Sequence, residues 1–303
     1  MSNPIVLVVG HGSRRAEAVV QFHAFIDALT KRLGQSVQYC FLELADPDLA
    51  TGLSNAALEA GDGGEVVVLP LFLGGAAHQK NDLPAALRWA RDRYPHVTFH
   101  YGTPLGPHAN LVELLDLRVR ECLEAHPGAL PAQETAVLVA ARGSSDPDAN
   151  SEIARTAHLL FEKRPYLAVE YAFQAVAHPT VDEGIRRCHR LGAHQVIVAP
   201  FLLFTGRVDE DIRHTSLQAG RNLGLPVLHS RYFETHPLLL NVAIQRIKEA
   251  LEGRAVMNCD VCKYRLPMSG YETQVGLAQA THHLHGGSAH AHHEHHENAD
   301  EHR

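Results

Sequence analysis

Short apolar runs rich in Val and Ile alternate along the chain with longer segments in which apolar side chains recur every three or four residues. The first pattern belongs to strands buried on both faces of a parallel sheet, the second to crossover helices with one face turned inward. Residues 5–9 predict a strand. A helix follows from about Arg14, with Val19, Phe22, Phe25, Leu29 and Leu33 on one stripe, and residues 37–43 predict the next strand. Further strands are expected near residues 66–70 and 97–101, each followed by helical period, so that a βα unit occurs four times in succession.

The series then repeats. VLVVGHGSR from Val6 matches VLVAARGSS from Val137, and FLELADP from Phe41 matches FQAVAHP from Phe173. VVVLPLFLGGAAHQKNDL from Val66 matches VIVAPFLLFTGRVDEDI from Val196 with one residue fewer. The segment around His108 has a counterpart around His236, and the last matching helix is expected to bury Leu240, Ile244, Ile247 and Leu251. Internal self-similarity of this kind marks a duplicated unit. The expected fold is therefore α/β, with two similar lobes at residues 1–127 and 128–253, each a parallel sheet with flanking helices. They join near residues 126–134 (HPGALPAQE) and face one another across a central cleft. Residues 254–303 turn polar and then His-rich, and are expected to form a flexible tail.

Composition narrows the setting. The chain has 303 residues, 45% apolar and 20% charged, which is ordinary globular protein of about two domains. Its net charge of -7 argues against a general nucleic-acid or anionic-membrane surface. No apolar run approaches the length of a bilayer span. MSNPIVLVVG lacks the basic region of a secretory signal, so a cytoplasmic location is expected. Of the five cysteines only Cys259 and Cys262 are close in sequence, which does not suggest a disulfide scaffold.

Parallel sheets bind ligands beyond the carboxyl ends of their strands. In the first lobe those ends present His11, Glu43 and the loop holding His78. Two imidazoles and a carboxylate there can bind a divalent transition metal or move protons near neutral pH. Each alone is as readily a polar residue satisfied at a loop start. The second lobe keeps the scaffold but replaces the three: His11 aligns with Arg142, Glu43 with Ala175 and His78 with Arg207. Residues needed only to hold the fold should persist in the copy. Gly10 and Gly12 let the backbone turn beside His11, and Ser13 is the expected N-cap of the next helix. A dinucleotide fingerprint would need glycine where Arg15 stands, which excludes a nicotinamide or flavin reading.

GHGSR at residues 10–14, ELADP at 43–47, PLFLGGAAHQKNDLP at 70–84 and PFLLFTGRVDEDI at 200–212 resemble the sirohydrochlorin cobaltochelatases. These are class II tetrapyrrole chelatases, here in their long, internally duplicated form, and the likeness runs in register over about the first 250 residues. The resemblance implies insertion of a divalent metal, Co2+ foremost with Fe2+ or Ni2+ open, into sirohydrochlorin. It implies that His11 and His78 bind the incoming metal and help remove pyrrole protons, with Glu43 at an acidic position beside them. A weak, incomplete ligand set suits a metal that must leave again.

The implied substrate carries acetate and propionate groups, so a few local cations suffice. Arg14, Arg15, Lys80, Arg142 and Arg207 lie in the loops expected to line the cleft, and a guanidinium fork can bind both carboxylate oxygens. Each could equally decorate a solvated helix end. Arg142 and Arg207 are the favoured pair, because the second lobe would then have exchanged metal ligands for substrate clamps.

Met257, Cys259 and Cys262 form an MxCxxC pattern that the long chelatases associate with an iron–sulfur centre. Two thiolates fall short of the four that a 4Fe-4S cluster usually needs, so a cluster would call for a homodimer, and an exposed thiol pair without a cluster is the alternative. His282, His283, His285, His290, His292, His293, His295 and His296 follow among carboxylates, a mixture expected to bind Ni, Co, Cu or Zn loosely as a buffer. Two rival functions stand beside the chelatase. A histidine-dependent phosphatase or mutase would normally place arginine before the histidine, where Gly10 stands. A metal-storage or chaperone protein would explain the tail but not the duplicated cleft.

Overall fold

The computed structural model describes residues 3–76, 78–256, 265, 267 and 272–277. Met257, Cys259, Cys262 and the eight tail histidines named above lie outside these. The first repeat runs β1 (Ile5–Gly10), α1 (Ala16–Leu33), β2 (Val37–Phe41), α2 (Leu49–Ala60), β3 (Glu65–Pro70), α3 (Leu83–Arg93), β4 (Thr98–Tyr101) and α4 (Ala109–Ala125). The second runs β5 (Thr135–Ala141), α5 (Pro147–Lys163), β6 (Ala168–Phe173), α6 (Val181–Arg190), β7 (Gln195–Pro200), α7 (Arg207–Leu223), β8 (Val227–His229) and α8 (Pro237–Leu251). Each repeat forms a four-stranded sheet, ordered β2-β1-β3-β4 and β6-β5-β7-β8. All pairings are parallel. The expected α/β architecture of two equivalent parallel sheets is what the chain adopts. Among the described residues no helix is long and apolar enough to cross a membrane.

Local boundaries differ from the sequence expectation in two places. α1 begins at Ala16 rather than Arg14, and its N-cap position is Arg15, without a side-chain cap. Ser13 serves instead one step earlier: its hydroxyl accepts the N–H of Arg15 at 3.1 Å. After β3 the chain forms a five-residue π-helical turn, His78–Asp82, before α3 starts with proline in its first turn. His108 and His236, matched in sequence, are matched in role. Each caps its helix, the ring Nδ1 accepting the N–H of Asn110 at 3.0 Å and of Leu238 at 3.2 Å.

The repeats are not self-contained. The last helix of each packs on the other's sheet, α4 against β7 and α8 against β3 and β4, while α4 and α8 also pack together. An amphipathic stripe does not say which sheet it covers, so a division at residue 127 misses this exchange. Val67, Leu69, Leu115 and Val119 consequently share one buried cluster with Val139, Ile197, Val242 and Ile247, and each lobe keeps a separate outer core. Two arginines fasten the exchange. Arg118 on α4 donates to the carbonyls of Tyr232 at 3.0 Å and Phe233 at 2.8 Å and pairs with Glu121. Arg246 on α8, its counterpart in the repeat, donates to the carbonyls of Pro104 at 2.9 Å and Leu105 at 3.3 Å and pairs with Glu249.

Two outcomes follow from this packing. Removing either guanidinium leaves inter-repeat carbonyls without a donor, so Arg118→Met and Arg246→Met should each lower unfolding free energy by about 3 kcal/mol in urea titrations. His229 on β8 sits against the Ser216 hydroxyl at 2.8 Å, and burial followed by the nearby Arg213 pushes its pKa from 6.5 down to about 4. The unfolded chain therefore takes up this proton first, so the stabilisation is whole above pH 6.5 and drains as pH falls towards 4. His229→Gln should flatten the slope of unfolding free energy against pH across that window.

Candidate functional site

In both sheets the strand order reverses beside the first strand of the repeat, and there loops diverge to leave a crevice. His11 follows β1 and Glu43 follows β2, while His78 opens the π-helical turn after β3. Close backbone packing joins the first two. The N–H of Glu43 donates to the His11 carbonyl at 3.1 Å, and a Cβ on Gly12, whose φ is +93°, would stand 1.7 Å from the Glu43 carbonyl oxygen. Only glycine fits there. Gly143 meets Ala175 in the same way in the second lobe, at 2.0 Å with φ +89°.

The structure brings His11, Glu43 and His78 together. His11 Nε2 lies 3.4 Å from Glu43 Oε1, and the His11 and His78 rings stand edge to face with centroids 5.4 Å apart. An ion on an imidazole nitrogen at about 2.1 Å lies about 3.2 Å from that ring's centroid, so rings at this separation are able to share one ion. Burial lowers the His11 pKa below its ordinary value. Glu43 opposes that shift, while His78 and Arg142 reinforce it. A neutral imidazole is the form that ligates a metal or accepts a proton. His78 Nδ1 donates to the Asp82 carboxylate at 2.7 Å, one helical turn on, which puts the ring's lone pair on Nε2.

These rings stand on the wall of a cavity of about 460 Å³ between the two lobes. Its lining is mainly apolar, with Phe22, Phe41 and Leu71 from the first repeat facing Ile153, Phe173 and Phe201 at the matching positions of the second. Arg142 and Arg207 occupy the second-lobe wall where the first has His11 and His78. Both are exposed, and Arg207 pairs with Asp211 at 3.5 Å.

The other expected cations are placed differently. Arg14 is exposed and lies outside the cavity lining. Arg15 forms a bidentate pair with Glu210 across the lobes. Lys80 corrects the expectation that it lines the cleft: its side chain is 3% exposed, with Nζ 3.0 Å from Asp146 and 2.8 Å from Asp148. An ammonium so enclosed is spent on carboxylates of the protein. The reading from sequence also missed Asp82, whose signal is its i, i+4 spacing from His78, and the aromatic wall, which was legible only as core.

Comparisons with known proteins agree with the duplicated fold. The CbiX family profile matches residues 5–122 and 136–250, one copy on each repeat. The chain belongs to the CbiX family. Over 267 residues it is 40% identical to a sirohydrochlorin cobaltochelatase of Priestia megaterium, spanning 86% of this chain and 84% of that protein. It is 33% identical to a sirohydrochlorin ferrochelatase of the same organism, spanning 86% and 94%. Among solved structures it is similar to SirB from Bacillus subtilis with Fe3+, with TM-score 0.72 and 29% identity over 84% of this chain and 99% of that one. As a CbiX protein it carries the duplicated scaffold whole, with imidazoles on one wall and guanidinium groups on the other.

Asp82 holds the His78 ring in one tautomer, so Asp82→Ala should weaken Co2+ binding roughly 10- to 100-fold in a visible-absorption titration. Unchanged affinity would mean the carboxylate does not orient the ring.

Proposed function

We propose that this chain is a chelatase that inserts a divalent metal into sirohydrochlorin. The observation that carries the reading is the pair His11 and His78, with Glu43 against His11, on one wall of an apolar cavity that has Arg142 and Arg207 on the other. Relatives named as cobalt and iron chelatases of sirohydrochlorin, each matched over most of its length, support it.

The residues divide the work by repeat. The first repeat holds the incoming ion on His11 and His78, with Glu43 beside His11. Two imidazoles do not close a coordination shell, so the ion is free to pass to the four ring nitrogens. The flat macrocycle enters between the aromatic walls, and Arg142 and Arg207 draw its peripheral carboxylates. Two pyrrole N–H protons leave as the M2+ ion enters, which keeps charge balanced. Neutral His11, freed as the ion passes on and with Glu43 to stabilise the imidazolium that forms, is placed to receive one, and the other leaves to solvent. Arg14 is exposed outside the cavity lining and the Arg15 fork is taken by Glu210, so neither clamps the ring within the cavity.

Cobalt is the metal to test first, with Fe2+ and Ni2+ beside it. A 4Fe-4S centre on Cys259 and Cys262 does not fit one chain, because Cys40, Cys122 and Cys188 are buried in the fold and burial raises their thiol pKa values. It would need a homodimer, which iron and sulfide analysis with the solution mass decides.

Purified protein mixed with sirohydrochlorin and Co2+ should give the absorption change of metallation. His11→Ala and His78→Ala should each slow it by roughly 100-fold or more, whereas a chain stopped after Gly253 should keep the rate. Insertion indifferent to both histidine changes would reject the site, and insertion lost with the tail would reject its auxiliary place.

A further inference from the structure

The loop that carries His78 belongs to the first repeat, yet its fastenings lie in the second. Lys80, two residues beyond His78 in the same π-helical turn, reaches Asp146 at the N-cap of α5 and Asp148 in its first turn. Lys80 and both carboxylates are at most 3% exposed. Just ahead of His78, Gly74 lies against the Glu152 carboxyl on the same helix so closely that a Cβ would be 3.1 Å from it. His78 is thus bracketed on both sides by contacts to one helix of the opposite repeat.

The counterpart of this arrangement shows what it is for. Arg15, which matches Asp146 as an N-cap residue, pairs with Glu210 on α7 beyond the loop that matches the His78 loop. The signs are reversed, and there the side chains are 37% and 58% exposed. An exposed pair suffices to lean one lobe on the other, and it holds no fixed geometry in water. Only on the side of the imidazoles has the tie been drawn into the interior, where desolvated charges must keep close, directional contact.

We infer that Lys80, with Asp146 and Asp148, is a positioning residue that sets His78 at the distance from His11 needed to share a metal ion. The second repeat thereby takes part in metal binding without contributing a ligand. This rests on the reading of His78 as a ligand.

The test compares the full chain with Lys80→Met and with the triple variant Lys80→Met, Asp146→Asn, Asp148→Asn. The triple variant leaves neither Asp146 nor Asp148 as a buried carboxylate without its cation, and Asn still caps α5. In both, the Kd for Co2+ by absorption titration and the KM for Co2+ should rise roughly tenfold or more, with the KM for sirohydrochlorin within about twofold of the parent. In a His78→Ala background the Lys80 change should add nothing further to the loss of Co2+ affinity. Co2+ affinity kept in the triple variant but lost in His78→Ala overturns the inference alone. A raised KM for sirohydrochlorin with unchanged Co2+ binding overturns it in favour of a substrate cation. Co2+ affinity untouched by His78→Ala overturns the site reading itself.

Discussion

The exchange of terminal helices is the constraint on which everything else in this molecule depends. α8 closes the sheet of the first repeat and α4 that of the second, so the two lobes share a core instead of meeting at a surface. Burial of that apolar area is the main force holding the lobes in place. Arg118 and Arg246 add direction, because each guanidinium meets backbone carbonyls of a loop in the other repeat. The cavity between the lobes inherits its width from this shared core.

Most of the scaffold was legible in the sequence because its signals are local. Strands buried on both faces read as unbroken apolar runs, such as residues 66–70, and the second copy repeated each landmark in the same order at nearly the same spacing. The catalytic candidates were legible for a topological reason. In a parallel sheet every strand ends on the same edge, so His11, Glu43 and His78 had to gather there whatever the details of packing.

What stayed hidden depended on partners far along the chain. Nothing near Leu111 or Leu239 states which sheet their stripe will cover, since the same stripe suits either. Lys80 looked like a substrate cation because loop lysines usually meet water, but its partners lie 66 and 68 residues away in the other repeat. Asp82 was overlooked for a different cause: the π-helical turn that presents it to His78 has no sequence signature separate from that of an ordinary helix start.

The cavity combines near-symmetric walls with imidazoles on one of them alone. A planar guest held there would have two inequivalent faces, and for the proposed reaction this sets a direction. With its proposed ligands on the imidazole wall, the ion would reach the guest from one face. The proposal therefore gives a handedness of loading to a molecule whose own ring is nearly flat.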